Sequence, residues 1–156
     1  MKKTINILFF GLGSIGQRHL RNLKKLLKNK VNFYAYRTTK HVPLLDNYGR
    51  RIEGEVEEKY NITLISNFNL FNKYNIDIVF ITNPSSFHLS TVLRLKNLKN
   101  AYIFIEKPID SSFKKQKKFL NHIKKNKAQV FVGYNMRFHP GYIKLKNILK
   151  KKKIFR

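Results

Sequence analysis

Apolar and polar positions fall into alternating blocks along this chain. Apolar runs occur at Ile5–Phe10, Val31–Tyr36, Ile62–Ile65, Ile76–Ile81, Ala101–Ile105 and Val130–Tyr134. Several are continuous, as expected of strands buried on both faces of a parallel sheet. Helix-like segments lie near Ile15–Lys28, Phe87–Leu98, Ser112–Lys125 and Gly141–Lys152. In the first, Ile15, Leu20, Leu23 and Leu27 recur near helical spacing, with Arg18, Arg21, Lys24 and Lys25 between them. Such punctuation predicts a doubly wound α/β fold around a parallel sheet. Right-handed crossovers then place all strand C-termini on one edge, where ligands bind. The stretch His41–Tyr60 departs from the pattern. It is highly charged over Arg50–Lys59 and predicts a solvated loop with a short helix.

The first strand runs directly into Gly11-Leu12-Gly13-Ser14-Ile15-Gly16, a G-x-G-x-x-G motif at a strand exit and a helix entry. The first glycine allows a sharp turn, the second lets a phosphate approach the backbone, and the third lets helix and strand pack closely. Free N–H groups at the helix start then face the anion. Gly11, Gly13, Ser14, Ile15 and Gly16 are therefore candidate contacts for a dinucleotide pyrophosphate.

Length and composition narrow the class. A chain of 156 residues suits one domain and can bury a sizeable core. With no cysteine, neither a disulfide framework nor a thiolate metal site is possible, and no metal site is expected. The composition fits a reducing compartment, and the expected location is cytoplasmic. No apolar stretch approaches the ~20 residues of a membrane span. Lys2-Lys3 before a short apolar run imitates a secretion signal, but no small-residue cleavage site follows. The net charge of +25 comes from 33 Lys and Arg against 8 Asp and Glu. Such a field attracts nucleic acid or acidic membranes without a dedicated site. The lysines are spread along the chain with no recognition motif, so only weak, salt-sensitive and non-specific nucleic-acid binding is expected, and no membrane binding.

Three further segments should reach the ligand edge. After the second strand comes Tyr36-Arg37-Thr38-Thr39-Lys40, with no carboxylate to hold a ribose 2′-hydroxyl. Arg37 can stack on adenine and pair with a 2′-phosphate, with Thr38 and Lys40 donating to it, which slightly favours NADP over NAD. The same bases also read as ordinary exposed residues of a lysine-rich protein. Asn83-Pro84-Ser85-Ser86 follows the fourth apolar run; Pro84 sets the turn, Ser85 or Ser86 can cap the next helix, and Asn83 lies beside the cofactor path. His88 sits in the first helical turn, in a structural or a catalytic role. Glu106-Lys107-Pro108 closes the fifth strand. Lys107 there can hydrogen-bond a substrate hydroxyl and help move its proton, or form a plain Glu–Lys pair.

Five stretches together resemble the glucose–fructose oxidoreductase / inositol dehydrogenase / MocA (Gfo/Idh/MocA) family. They are Gly11 to His19, Ile81-Thr82-Asn83-Pro84, His88, Glu106-Lys107-Pro108, and Gly133-Tyr134-Asn135-Met136-Arg137-Phe138-His139-Pro140. The resemblance implies a Rossmann-type NAD(P)-binding domain of an oxidoreductase acting on a sugar, cyclitol or nucleotide-sugar hydroxyl. It implies that Lys107 is the active-site lysine and that Glu106 and Pro108 adjoin the nicotinamide ribose. It further implies that Asn83 and Pro84 form the loop over the cofactor, and that Asn135 and Arg137 enter the active site from the last strand. The Gly-Ser-Ile-Gly-Gln-Arg-His variant is similar to members found with surface-sugar biosynthesis.

Members of that family are roughly twice as long, with a second α/β domain supplying an Asp and a His. The expected organisation here is an NAD(P)-binding domain over residues 1–139 and, over 140–156, the start of a connection to an absent substrate domain. A truncated, poorly active product is expected, with a frameshift at the adenine-rich codons of Lys150–Lys153. The surface left by a missing domain should favour self-association. The alternative is a non-enzymatic basic Rossmann module that binds polyanions or a partner protein.

Overall fold

The computed structural model describes residues 4–27, 31–37, 41–68, 73–96, 101–112 and 114–151. Six of its strands form one parallel sheet in the order β5-β2-β1-β6-β7-β8. They are β1 (Ile5–Phe10), β2 (Val31–Tyr36), β5 (Ile62–Leu64), β6 (Ile78–Ile81), β7 (Tyr102–Ile105) and β8 (Gln129–Val132). Each expected strand is present; β5, β6 and β7 are one or two residues shorter than their apolar runs, and β8 starts one residue earlier and ends two earlier than expected. Helices α1 (Ser14–Leu27), α3 (His88–Arg94), α4 (Gln116–Asn126) and α5 (Pro140–Lys151) occupy the expected segments. The doubly wound α/β fold is thus as the apolar runs require.

The central strands are apolar at nearly every position, Asn6 of β1 being an exception, because both faces are covered. In β1, Leu8 and Phe10 join one core, with Val79, Ile81, Ile103 and Ile105 of the neighbouring strands and Leu89 and Val92 of α3. Ile7 and Phe9 point the other way, into a core with Phe33, Ala35, Phe80 and Leu20 of α1. This is the period-two alternation of a strand, hidden in the sequence because neither side is polar. On the α1 side, Phe9 stacks on Phe80 at 4.8 Å, and Phe80 lies 5.0 Å from Phe104.

The charged stretch after β2 is more ordered than expected. Instead of a loop it forms an antiparallel hairpin of β3 (Pro43–Leu45) and β4 (Arg51–Glu55), followed by the short helix α2 (Val56–Tyr60). Leu44, Val56 and Tyr60 are buried in the α1-side core. Asp46 makes the turn: its Oδ1 accepts the amides of Tyr48 and Arg50, and its Oδ2 accepts from Arg50 Nε at 2.8 Å. Gly49, at φ +84°, supplies the left-handed step that this turn needs.

Serine capping of the third helix is not what the structure shows. Ser85–Phe87 forms a 3-10 turn, and α3 starts behind Phe87 with no side-chain cap. At the far edge, β8 is half exposed and α5 has no buried residue.

Candidate functional site

The sheet order places β1 and β6 side by side, with the chain running outward in opposite directions from them. A crevice opens at the C-terminal ends of two such strands. Here it is bounded by the glycine turn after β1 and by Thr82-Asn83 after β6. Gly11 sits at φ +94°, and a Cβ on it would come within 2.8 Å of the Asn83 backbone nitrogen. A Cβ on Gly16 would collide with the Gly11 carbonyl oxygen, which also accepts from Thr82 Oγ1 at 2.6 Å. These two glycines are demanded by the fold. Gly13 differs: a Cβ there would meet nothing within 4 Å. The space beside it is open, at the start of α1, where amide N–H groups have no helical partner.

Gln17, fully buried in α1, steadies this turn. Its Nε2 donates to the carbonyls of Leu12 and Pro43, and its Oε1 accepts the Leu45 amide. One side chain thus ties the glycine turn to the hairpin.

The crevice is a cavity of about 730 Å³, large enough for a dinucleotide half or more, and Gly11, Gly13, Arg37, Asn83 and Pro84 line it. Asn83 Nδ2 donates to Thr91 Oγ1, while its Oδ1 is buried without a partner. An open cradle at a helix N-terminus and an unsatisfied amide oxygen on the facing loop both fit an NAD-type cofactor. Ser14, Ile15 and Gly16 lie behind Gly13 in the first turn of α1.

Lys107 and Pro108 follow β7, the next strand along the edge. They are exposed and do not line the cavity. Two imidazoles fix their backbone. His88, buried at the head of α3, has Nδ1 2.8 Å from the Pro108 carbonyl and Nε2 2.7 Å from the Asn83 carbonyl. It joins the lysine loop to the cofactor loop, the structural role among the two expected of it. His19, on α1, has Nε2 2.7 Å from Glu106 Oε1, and Glu106 Oε2 accepts the Lys107 amide. Glu106 therefore pairs with His19 and not with the Lys107 ammonium. Sequence reading gave His19 no role; its place three residues beyond Gly16, on the same face of α1, is the signal that could have found it.

Arg37, immediately after β2, is not an ordinary exposed base. Its Nη2 lies 2.6 Å from Glu57 Oε1 of α2, with both side chains largely buried. A 2′-phosphate here would meet a guanidinium that already has a carboxylate beside it, although its Nη1 is buried without a hydrogen-bond partner. Thr38 and Lys40 lie outside the described residues. Arg94, which also lines the cavity, has its guanidinium 4.1 Å from the centre of the Phe68 ring. Asn135 and Arg137 fall in an exposed 3-10 turn after β8, and Arg137 sits over Phe138. The structure does not bring these two to the cavity. No cluster of metal-ligating side chains occurs among the described residues, nor any helix long and apolar enough to cross a membrane.

Residues 5–134 match the profile of an oxidoreductase family with an NAD-binding Rossmann fold, named for its Gfo, Idh and MocA members. The oxidoreductase YrbE of Bacillus subtilis is 26% identical over 151 residues, covering 96% of this chain and 41% of that protein. Inositol 2-dehydrogenase of Salmonella typhimurium is 28% identical over 149 residues, covering 94% of this chain and 41% of that protein. This chain therefore spans about two-fifths of the length of these relatives. Among solved structures, scyllo-inositol dehydrogenase of Lactobacillus casei, with NAD(H) and scyllo-inositol, superposes with a TM-score of 0.74 at 23% identity, over 97% of this chain and 42% of that one. The WlbA dehydrogenase of Bordetella pertussis, with NADH and UDP-GlcNAcA, gives 0.78 at 15% identity, over 99% and 44%. With most of its length inside the family profile and the glycine turn on a β1–β6 crevice, the chain belongs to the Gfo/Idh/MocA oxidoreductase family, as its NAD-binding Rossmann domain.

Proposed function

We propose that this chain holds a nicotinamide dinucleotide in the β1–β6 crevice and presents Lys107 to a polyhydroxylated substrate of the cyclitol or sugar type. The open space at Gly13 carries the cofactor reading. Gly13, Ser14 and Ile15 receive the pyrophosphate, Gly11 and Gly16 keep the turn tight enough for it, and Asn83 and Pro84 cover it. Arg37 stands at the adenosine-ribose end. Glu106 and Pro108 hold the backbone on either side of Lys107. When bound, the nicotinamide supplies a hydride acceptor or donor. Lys107 Nζ hydrogen-bonds the reacting hydroxyl and helps move its proton while hydride leaves the carbon, a role that the family relation supports. Asn135 and Arg137 are proposed to meet the substrate rather than the cofactor, since both stand at the exit of β8. The substrate class is supported by the relatives, which include inositol dehydrogenases.

We draw the domain boundary at residue 139, because α5 adds no buried residue to either core. Lys107 is exposed, and orienting a substrate against it requires a facing wall. The described residues supply the cofactor side of that site.

NADH fluorescence titration of the wild type and of Gly13→Val tests the cofactor reading. The valine side chain enters open space in the fold, so the variant should melt like wild type. The same side chain fills the pyrophosphate cradle, so NADH affinity should fall by about a hundredfold or more, equivalent to ~3 kcal/mol. Equal affinity in both proteins rules the assignment out.

A further inference from the structure

In a dinucleotide site of this kind, the group beyond the second strand decides between a ribose 2′-hydroxyl and a 2′-phosphate. A carboxylate favours the hydroxyl and a free arginine favours the phosphate. By sequence this position is Arg37, with no acidic residue nearby in the chain. In the fold it is not alone. Helix α2, twenty residues further on, delivers Glu57 Oε1 to within 2.6 Å of Nη2 as an ion pair without hydrogen-bond geometry, and Nη1 is left buried without a partner. The two side chains are 11% and 14% exposed, so water screens the pair only weakly. Val56, beside Glu57, is fully buried, and this anchors the short helix and fixes where the carboxylate stands.

We propose that Glu57 is a specificity-determining residue: by neutralising Arg37 it makes the cavity select a dinucleotide with a free 2′-hydroxyl, NAD(H), over NADP(H). The inference rests on the cofactor reading above. A 2′-phosphate approaching Arg37 brings nearly two negative charges toward a carboxylate already in contact with the same guanidinium. It must either break that pair, leaving Glu57 poorly solvated, or accept the repulsion. A 2′-hydroxyl carries no charge and meets neither cost. Arg94 also lines the cavity and keeps its charge on the Phe68 ring, but it stands in α3 and not at the position beyond the second strand. Glu57 does not itself line the cavity, whereas Arg37 does, so the effect of Glu57 on the dinucleotide runs through the guanidinium.

Parallel titrations of NADH and NADPH at one ionic strength, on wild type, Glu57→Gln and Arg37→Gln, test this. Wild type should bind NADH more tightly than NADPH. Glu57→Gln frees the guanidinium and should shift the affinity ratio toward NADPH by about tenfold or more, since like-charge juxtaposition costs several kcal/mol. Arg37→Gln leaves the carboxylate and should shift the ratio the other way, weakening NADPH more than NADH. A wild type that prefers NADPH overturns the proposal, as does a folded Glu57→Gln with an unchanged ratio. Should Glu57→Gln not fold, Arg37→Gln decides: a ratio that stays put or moves toward NADPH overturns it. Failure of folded wild type to bind either dinucleotide overturns the cofactor reading as well, whereas binding with an unmoved ratio overturns only the role of Glu57.

Discussion

Three glycines within six residues have separable tasks. Gly16 faces the Gly11 carbonyl oxygen, and Gly11 lies under the Asn83 backbone, so any side chain at either place pushes on main chain that cannot yield. Gly13 faces open space. Gly16→Ala should therefore lower stability by about 1–3 kcal/mol, the usual cost of overpacking. The loss is read as a lower midpoint in urea, and Gly13→Ala serves as the neutral control. A Gly16→Ala protein as stable as wild type would show that α1 can lift off β1 at little cost. Much of this was legible beforehand, because glycine roles at a strand–helix turn follow from backbone geometry. The side-chain partners were less legible. Arg37 reads as a phosphate ligand until Glu57 is placed beside it, and Glu106 reads as a partner for Lys107 until His19 is seen 2.7 Å away. Both pairings cross between elements, and one sequence carries no trace of which distant residue fills a position.

At the scale of elements, apolar runs located all six parallel strands, and the central ones, buried on both faces, announce themselves by composition alone. The hairpin β3–β4 gave no such signal. β4 carries a single large apolar residue, Ile52, and four of its five positions are exposed. Leu44 anchors the hairpin in the core, and the rest of what holds it is polar: the Asp46 turn, Gly49, and the contacts of Gln17 with Pro43 and Leu45. The Asp46 carboxyl shows the balance. Burial pushes its pKa up, but hydrogen bonds from the Arg50 backbone, the Arg50 side chain and the Tyr48 amide, with the Arg50 charge, outweigh this and hold it below the ordinary carboxylate value. A depressed folded pKa contributes stability above the unfolded value, and that contribution is lost as pH falls through the folded one. Amide exchange at Tyr48 and Arg50 should therefore be slow near neutrality and speed up in acid. In Asp46→Asn it should be fast throughout and nearly flat with pH after correction for intrinsic exchange. Equal protection in both proteins at neutral pH would mean that the turn does not depend on the carboxylate. The hairpin matters for function because α2, which carries Glu57, follows it directly.

The whole molecule carries +25, yet the charge is uneven. Asp46, Glu53, Glu55, Glu57 and Glu58, five of the eight acidic residues, lie in the hairpin and α2, whereas Lys114, Lys115, Lys117, Lys118, Lys124, Lys125 and Lys127 cluster in and around α4. The field should draw polyanions toward the α4 side and away from the hairpin. The helix α4 has only Phe119 buried, and its lysines are spaced along a solvated surface rather than gathered in a groove. Contacts of that kind go to phosphates and carry no base readout. Duplex DNA should bind this protein with the same affinity whatever its sequence. The affinity should fall by about a thousandfold between 50 and 200 mM salt, as expected when several phosphates are neutralised. Fluorescence anisotropy with two unrelated duplexes over a salt series measures both properties. Saturating NADH should leave DNA binding in place, because the cofactor crevice and α4 are separate surfaces, and Gly13→Val should bind DNA like wild type. Sequence-selective binding that survives moderate salt, or competition between NADH and DNA for one site, would instead make polyanion recognition a function of the crevice itself. The basic charge would then belong to the mechanism and not merely to the surface.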